Sequence, residues 1–333
     1  MSDELDPKDF EDTARAAVEA CATSGDCAGR ARVLADAGLL GVIAPEEAGG
    51  LGLPLKYAVP VAGAAGAGLL AFPLIESLLL ARALAGIDAG EAGRICAGET
   101  VATIAWSGVD TDGLVANAPM GRDASRVLIF RAGGGAVLAS MSNVVRLEAA
   151  ADEWNVDAPA ASLRCDGPIE GIEFDAETVR KLHADANILR AAHIHGSAAR
   201  CLSLAMGHAQ ERVQFGRPLS AYQVLRHKMS RDALAIETMK NGIARALSDH
   251  GEEAGLVCEA AWLNAARQGP AVAENAIQIF GGMGFTWEVP LHRHLRQMRA
   301  LAAYGAAADG LEALGDALIA SSVNEWYGEI NHG

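Results

Sequence analysis

The sequence of 333 residues has few aromatic side chains and no excess of positive charge. Aromatic residues make up 5% of the chain, while alanine and glycine dominate. Such small side chains suit closely packed helices better than a β-sandwich. The formal net charge of −15 argues against nucleic acid or an anionic membrane as a partner. An anionic ligand would therefore need a local cation, because the overall field of the chain repels it.

Paired cysteines and the common catalytic motifs are also absent. The six cysteines are scattered without a CxxC pair, which argues against a zinc site or a disulfide framework. No Gly-x-Ser-x-Gly, GxGxxG or phosphate-loop motif occurs. His193 and His195 lie two residues apart, as do His292 and His294. On a helix the two members of such a pair face different sides, so neither pair predicts a metal site.

No segment has the pattern of a secretory leader or of a membrane helix. Residues Met1–Asp6 are acidic and polar, the opposite of a secretory signal. Ala58–Ile75 carries no charge, but it is rich in alanine and glycine and is interrupted by Pro60 and Pro73. We interpret it as a buried helix and turn. The expectation is a cytoplasmic protein that binds neither membrane nor nucleic acid.

Periodicity divides the first half of the chain into two regions. Residues 1–100 are predicted to form an N-terminal helical domain, because helical spacing of apolar residues recurs over 8–40 and continues over 55–98. Residues 101–177 show short alternating runs and are predicted to form a reduced middle β domain. The predicted strands are Val101–Trp106, Arg126–Arg131, Ala136–Ser140 and Ile169–Phe174. Three consecutive glycines at 133–135 predict a hairpin turn between the second and third of these runs.

Residues 178–333 are predicted to form a C-terminal four-helix bundle domain. Long helical patterns cover 181–213, 221–250, 254–281 and 288–321. Long helices with short connections favour an antiparallel bundle. The fold class is therefore mainly α with a small β middle section. Within the last connection, Trp287 is expected in the core and Glu288 is expected to cap the last helix.

Two segments of the bundle have a composition suited to a ligand. In Gln278–Glu288, Gly281, Gly282 and Gly284 end a long helix and leave bare peptide groups, while Gln278 offers a donor and an acceptor. These glycines alone also fit a plain helix C-cap. The second segment is Arg212–Leu219, which contains Arg212 and Phe215-Gly216 and precedes Gln223.

Taken together, the Arg-x-x-Phe-Gly and Gln-x-x-Gly-Gly segments resemble the C-terminal domain of the acyl-CoA dehydrogenases. In that family these segments hold the adenosine diphosphate half of an FAD that is bound mainly by the neighbouring subunit. A guanidinium suits the pyrophosphate because it is planar and permanently charged. The resemblance therefore implies FAD as cofactor. The residues that it assigns to cofactor binding are Arg212, Phe215, Gln223, Gln278, Gly281 and Gly282.

The same resemblance shows what this sequence has lost. The family's middle domain grips the flavin ring through a Trp-Ile/Val-Ser/Thr motif and a Thr-Glu-Pro-x-x-Gly-Ser segment, and neither is found here. Trp106-Ser107-Gly108 and Glu153-Trp154-Asn155 contain the only tryptophans of the region, and their neighbours do not match.

The catalytic base is missing as well. Most of the family places its glutamate after a tyrosine in a Tyr-Glu-Gly segment, and here Tyr304 is followed by Gly305. Glycine cannot take a proton, so no catalytic residue is assigned. Some members place the base near the start of the first bundle helix, which corresponds to Ala186 beside Asp185. Asp185 is interpreted as an exposed acid near the helix start, and only secondarily as a base.

These observations leave three hypotheses. In the first, the chain is a subunit of a heteromeric FAD-dependent acyl-CoA dehydrogenase, resembling the unlike-subunit enzymes of bacterial steroid and cholesterol side-chain breakdown. A full-length partner in an α2β2 assembly would carry the base, act on a bulky acyl-CoA and reduce an electron-transfer flavoprotein. In the second, the chain is a non-enzymatic scaffold paralogue, which would have no use for an unpaired, buried Arg212. In the third, it is a homo-oligomeric flavoenzyme with an unrecognised base such as Asp185.

Overall fold

The computed structural model describes residues 6–107, 113–146, 155–165, 167–248 and 254–320. Gly108, Glu153 and Trp154, which bear on the flavin motifs, lie outside these residues. Five helices make up the N-terminal part: α1 (Pro7–Cys21), α2 (Cys27–Asp36), α3 (Ala58–Ala67), α4 (Leu74–Leu84) and α5 (Ala89–Cys96). Helices α1 and α2 confirm the helical spacing of apolar residues over 8–40. None of the described helices combines the length and the apolar character needed to cross a membrane.

Carboxylates fix the starts of three of these helices. Asp6, Asp26 and Asp88 each accept a hydrogen bond from a backbone N–H of the following turn. Such caps satisfy donors that a helix leaves free at its first turn. Helix α4 differs because nearly all of its side chains are buried, including the carboxylate of Glu76. A charged group on a fully buried helix is costly unless it has a partner, so Glu76 marks a place to look for function.

The described residues of the middle region form seven strands in two sheets. They are β1 (Ala102–Ala105), β2 (Leu114–Pro119), β3 (Arg126–Phe130), β4 (Ala136–Ser140), β5 (Val145–Arg146), β6 (Ala160–Arg164) and β7 (Gly171–Phe174). One sheet has the order β1-β3-β4-β7 and the other has the order β2-β6-β5. Strands β3 and β4 are antiparallel neighbours, as the three glycines between them predict. The sequence did not predict β2, β5 or β6, which are short or irregular, and β2 contains a register shift.

The C-terminal part is helical, as predicted. Its helices are α6 (Ala176–Glu211), α7 (Gln223–Ala246), α8 (Ala254–Phe280), α9 (Leu291–Tyr304) and α10 (Ala307–Ala320). Helices α6, α7 and α8 pack against one another, and α9 packs on α6 and α8. Asp232 of α7 accepts a hydrogen bond from Asn275 near the end of α8, while the Cys258 thiol near the start of α8 contacts the Ala246 carbonyl. Helices α7 and α8 are therefore antiparallel.

The predictions for the last helix and the segment before it are wrong. A single helix over 288–321 was expected, but the chain breaks after Tyr304, and Ala306 has a left-handed backbone with φ of 46°. Glu288 does not cap α9, which begins after Pro290 without a side-chain cap. Trp287 is 66% exposed and so does not belong to the core.

Ion pairs connect the three parts of the chain. Arg82 of α4 binds Asp185 of α6. Arg293 of α9 binds Asp157, which precedes β6, with Nε and Oδ2 2.9 Å apart. Glu91 of α5 accepts hydrogen bonds from Arg94 and from Arg126 of β3. Burial favours a higher pKa for Glu91, but these two arginines outweigh it and hold the pKa below its usual value. The helical and β parts are therefore held together by charged contacts as well as by the apolar core.

Candidate functional site

Six sequence-predicted residues lie at one end of the bundle. Helix α6 ends there, α7 begins there and α8 ends there. The ring of His208, in the last turn of α6, stacks on Phe280 at the end of α8, with ring centroids 4.1 Å apart. This region, which we call the bundle end, contains Arg212 after α6, Phe215 in the following turn, Gln223 at the start of α7, and Gln278, Gly281 and Gly282 at the end of α8.

A tight hairpin shapes the first half of the bundle end. Two-residue strands β8 (Val213–Gln214) and β9 (Arg217–Pro218) pair through a turn formed by Phe215 and Gly216. The backbone φ is 51° at Phe215 and 81° at Gly216, as a type I′ turn requires at both central positions. The left-handed region is unfavourable for phenylalanine by about 1–2 kcal/mol. An aromatic residue held in that conformation with 93% of its surface exposed is typical of a contact site rather than a core.

The second half of the bundle end exposes main chain. Gly281 has φ of 65°, as the residue after a helix end often has. A Cβ atom added at Gly281 or Gly282 would meet nothing within 4 Å, so both peptide groups face open space. Gly284 differs, since a Cβ there would lie 2.9 Å from the backbone of Ile277. The C-cap interpretation accounts for Gly281 and close packing accounts for Gly284, but neither requires glycine at 282.

Charge at the bundle end is local and unneutralised. Arg212 is exposed, and within the described parts of the chain no carboxylate lies within 4 Å of its guanidinium. The expectation that Arg212 is buried is therefore wrong for the single chain, and burial cost does not argue against a scaffold role. An exposed guanidinium, two exposed side-chain amides, bare peptide groups and an exposed ring fit a nucleotide diphosphate presented from outside the chain.

The interior of the molecule differs from the bundle end, because it is filled by packed side chains. Glu76 of α4, Trp106 after β1, Arg190 of α6 and Trp262 of α8 meet between the helices and the sheet, and we call them the interior cluster. The Trp106 indole N–H donates to Glu76 Oε1 over 2.8 Å. The Arg190 guanidinium lies over the Trp106 ring, 3.7 Å from its centroid, and 5.8 Å from the centroid of Trp262. All four side chains are buried, so this space is filled by protein.

The charges of the interior cluster are strongly perturbed. Burial raises the pKa of Glu76, while the hydrogen bond from Trp106 and the charge of Arg190 act in the other direction. Burial lowers the pKa of Arg190, against the pull of Glu76. Among the described residues, Nη2 of Arg190 has no hydrogen-bond partner. The sequence did not predict this cluster. The signal available was a charged residue on the buried face of each of two helices.

Gly305, the position of the family's base, is closed by packing. The Trp262 indole N–H donates to the Gly305 carbonyl over 3.3 Å. A Cβ atom at residue 305 would lie 2.5 Å from the Trp262 ring. No side chain larger than hydrogen fits there while Trp262 keeps its place.

We therefore expect Gly305→Ala to lower the free energy of unfolding by about 1–3 kcal/mol, because the ring or the backbone must shift. Gly315→Ala is the matched control. It lies in α10 with nothing within 4 Å of its added Cβ, and it should be neutral or stabilising by up to about 1 kcal/mol. Urea titration of the two variants measures the difference. Equal stabilities would show that the Trp262 contact does not exclude a side chain.

A small cavity borders this region without offering a substrate channel. Its volume is about 50 Å³, which is room for a few water molecules. Glu76, His193, Gln297 and Tyr304 supply polar groups to it, and apolar residues complete the lining. Among the described residues, Nε2 of His193 and Oε1 of Gln297 have no hydrogen-bond partner. An acyl chain does not fit in this space.

Asp185 is not the exposed acid that the sequence predicted. Only 22% of its side chain is accessible, and its carboxylate is engaged by Arg82. Burial raises its pKa, and Arg82 opposes that effect. It does not line the cavity. Within the described part of the chain, no group of three or more His, Cys, Asp or Glu residues is placed to hold a metal ion.

The C-terminal half of the chain matches a known protein family. Residues 183–309 match the family model described as acyl-CoA dehydrogenase, C-terminal domain. The acyl-CoA dehydrogenase FadE34 of Mycobacterium tuberculosis is 27% identical over 81% of this chain and 39% of its own length. The chain spans less than half the length of the curated relatives it matches first.

Solved structures extend the likeness to nearly the whole chain. The Tcur3481-Tcur3483 steroid ACAD G363A variant has a chain with a TM-score of 0.85 and 24% identity, covering 96% of this chain and 98% of its own. The ChsE4-ChsE5 complex from Mycobacterium tuberculosis has a chain with a TM-score of 0.82 and 22% identity, covering 95% and 97%. At these identities the comparison establishes a shared fold.

Proposed function

We propose that the chain belongs to the acyl-CoA dehydrogenase family, whose cofactor is FAD, because residues 183–309 match the C-terminal domain of that family. From this premise we propose that the chain is the non-catalytic subunit of a heteromeric FAD-dependent acyl-CoA dehydrogenase. It supplies part of the adenosine diphosphate site to a flavin held mainly by a full-length partner subunit in an α2β2 complex.

One observation supports this proposal. The chain keeps residues suited to one half of a flavin site, but protein fills the space that the other half would need. The bundle end keeps an exposed cation, exposed amides and bare peptide groups. The interior, where a flavin ring and an acyl group would need space, is filled by the interior cluster and by Trp262 against Gly305. A chain that can hold a nucleotide tail but not a flavin ring suits a shared site.

The residues at the bundle end have separate roles in this proposal. Arg212 neutralises the pyrophosphate through charge-assisted hydrogen bonds. Gln278 and Gln223 orient the nucleotide through their amides, and Phe215 offers a face to the adenine. Gly281 and Gly282 allow the phosphates to approach the backbone N–H groups. A bound flavin would supply the acceptor for the hydride removed from the acyl-CoA.

The partner must supply what this chain lacks. A carboxylate has to remove the α-proton, and neither Gly305 nor the engaged Asp185 can do so. We infer that the substrate is a bulky acyl-CoA thioester, such as a steroid side-chain CoA. One structural neighbour is a steroid ACAD, which supports this substrate class. An electron-transfer flavoprotein would then accept the electrons.

A scaffold role is the second candidate, and the packed interior favours it as much as it favours a shared site. The bundle end separates the two, because a scaffold has no need for an exposed phenylalanine in a left-handed turn beside open glycines. A self-sufficient flavoenzyme is disfavoured by the absence of space at Gly305.

Purification of the chain alone and together with a full-length acyl-CoA dehydrogenase as the candidate partner tests the proposal. Alone, the chain should be colourless and should not retain an acyl-CoA. Co-purified, the complex should show flavin absorbance and oxidise acyl-CoA, with more flavin than the partner holds by itself. A yellow, active homo-oligomer would refute the proposal, and a colourless complex with normal assembly would favour the scaffold.

A further inference from the structure

The first half of helix α7 has one packed face and one exposed apolar face. Leu225 and Met229 are half-buried against the core, and no fully buried residue precedes Asp232. On the other face, Val224 is 75% exposed and Leu234 is 68% exposed. A helix face with apolar side chains in solvent is typical of a surface that another chain covers.

This segment is also basic in a chain that is otherwise acidic. Between Arg212 and Ala246 there are seven Arg and Lys residues and two Asp and Glu residues, although the whole chain carries −15. Both acids are already engaged. Asp232 is buried and accepts a hydrogen bond from Asn275 over 2.6 Å, and Glu237 lies 4.0 Å from Lys240. Within the described residues, Arg226 and Arg231 have no carboxylate within 4 Å.

Two apolar residues flank two basic residues along one line of the helix. Val224, His227, Arg231 and Leu234 follow one another at spacings of three and four residues, so they lie on one face, which we call the α7 stripe. All four are exposed. Arg226 flanks the stripe, and Arg217 stacks on Tyr222 beside its start. The stripe therefore has apolar ends and a cationic centre.

Symmetry limits which chain can cover such a stripe. In a two-fold dimer the same patch faces itself, so a second copy would bring Arg231 and its neighbours against like charges. Like charges placed together reject a wrong partner, whereas opposite charges favour the right one. A second copy is therefore a poor occupant, and an acidic surface on an unlike chain is a good one.

We infer that the α7 stripe docks the partner subunit through an acidic surface with apolar recesses, and that its charge selects this unlike chain over a second copy. This inference rests on the proposed function, because the partner is the same flavin-bearing subunit. It adds the chemistry of the partner's face and the reason why copies of this chain do not pair there.

The test is charge reversal in the co-expressed complex with that subunit. Arg226→Glu with Arg231→Glu should weaken association at 50 mM salt by roughly 10- to 100-fold. The unmodified pair should associate about 10-fold more slowly at high salt than at low salt, because screening removes the attraction. Arg131→Glu is the control, since it removes an exposed arginine of the sheet, and it should change neither quantity. Circular dichroism of each variant checks that the fold is kept.

Three outcomes would overturn the inference. They are association that is indifferent to salt, association that survives reversal of both arginines, and a homodimer of the unmodified chain that Leu234→Asp disrupts. Flavin absorbance separates this test from that of the proposed function. A flavin-loaded complex indifferent to the reversals refutes only the docking inference. A complex that is sensitive to them but free of flavin refutes only the cofactor role.

Discussion

Replacing Arg212 by alanine is expected to strip FAD from the complex with the partner subunit while leaving the complex assembled. A charge-assisted hydrogen bond contributes about 1.5–3 kcal/mol, and a guanidinium can make two to a pyrophosphate. A loss of about 3 kcal/mol corresponds to roughly 100-fold weaker binding of FAD. Flavin absorbance per complex after gel filtration measures the effect. Arg212 is exposed and lies outside the core, so the chain itself should fold normally.

Two further variants separate a specific phosphate contact from a general loss of charge. Arg212→Lys keeps the charge but not the fork of donors, so it should retain flavin to an intermediate degree. Arg131→Ala removes an exposed arginine of the sheet and should leave flavin content unchanged. If Arg212→Ala and Arg131→Ala retain the same amount of flavin, Arg212 does not hold the phosphates.

Replacing Arg190 by methionine is expected to lower the free energy of unfolding by about 3–5 kcal/mol, because it leaves the carboxylate of Glu76 buried without its cation. Arg299→Met is the matched control, since Arg299 pairs with Glu274 at the surface and should cost at most about 1 kcal/mol. Adding Glu76→Gln to Arg190→Met should recover most of the loss, because the amide oxygen still accepts from Trp106 and no charge remains buried.

The pH dependence of this variant follows from the direction of the Glu76 shift. Burial raises the pKa of Glu76 in the folded chain, so the stability present below the usual carboxyl pKa is lost as pH rises through the folded value. Removing Arg190 removes a charge that lowers this pKa. The destabilisation by Arg190→Met should therefore be larger at pH 8 than at pH 5. Urea titrations at both pH values measure the loss of stability. An equal loss at pH 5 and pH 8 would show that ionisation of Glu76 does not cause it.

Local patterns in the sequence predicted most of the fold. Long apolar repeats identified α6, α7 and α8, and glycines identified the β3–β4 turn. Strand β6, Ala-Ala-Ser-Leu-Arg, escaped notice because its residues have weak strand propensity and its pairing with β2 is not local. The break after Tyr304 also escaped notice, because its only local signal is the single glycine at 305, while the packing of that residue on Trp262 is not local.

The two sites also differ in how far the sequence predicts them. The bundle end could be located from the sequence because its residues form two short segments with recognisable spacing. The interior cluster could not, because Glu76, Trp106, Arg190 and Trp262 come from four distant parts of the chain and meet only in the tertiary structure. The exposure of Arg212 and Trp287 was also missed, since a sequence does not show which surfaces of a chain await another chain.

The contact between Trp262 and residue 305 makes the loss of the base difficult to reverse. A change of Gly305 to glutamate alone would drive its side chain into the indole ring, so an evolving lineage would meet a misfolded intermediate before any regained activity. Trp262 would first have to be replaced by a smaller residue, and that substitution brings no catalytic advantage by itself. If the proposed function holds, a chain that carries this pair depends on its partner subunit for the base.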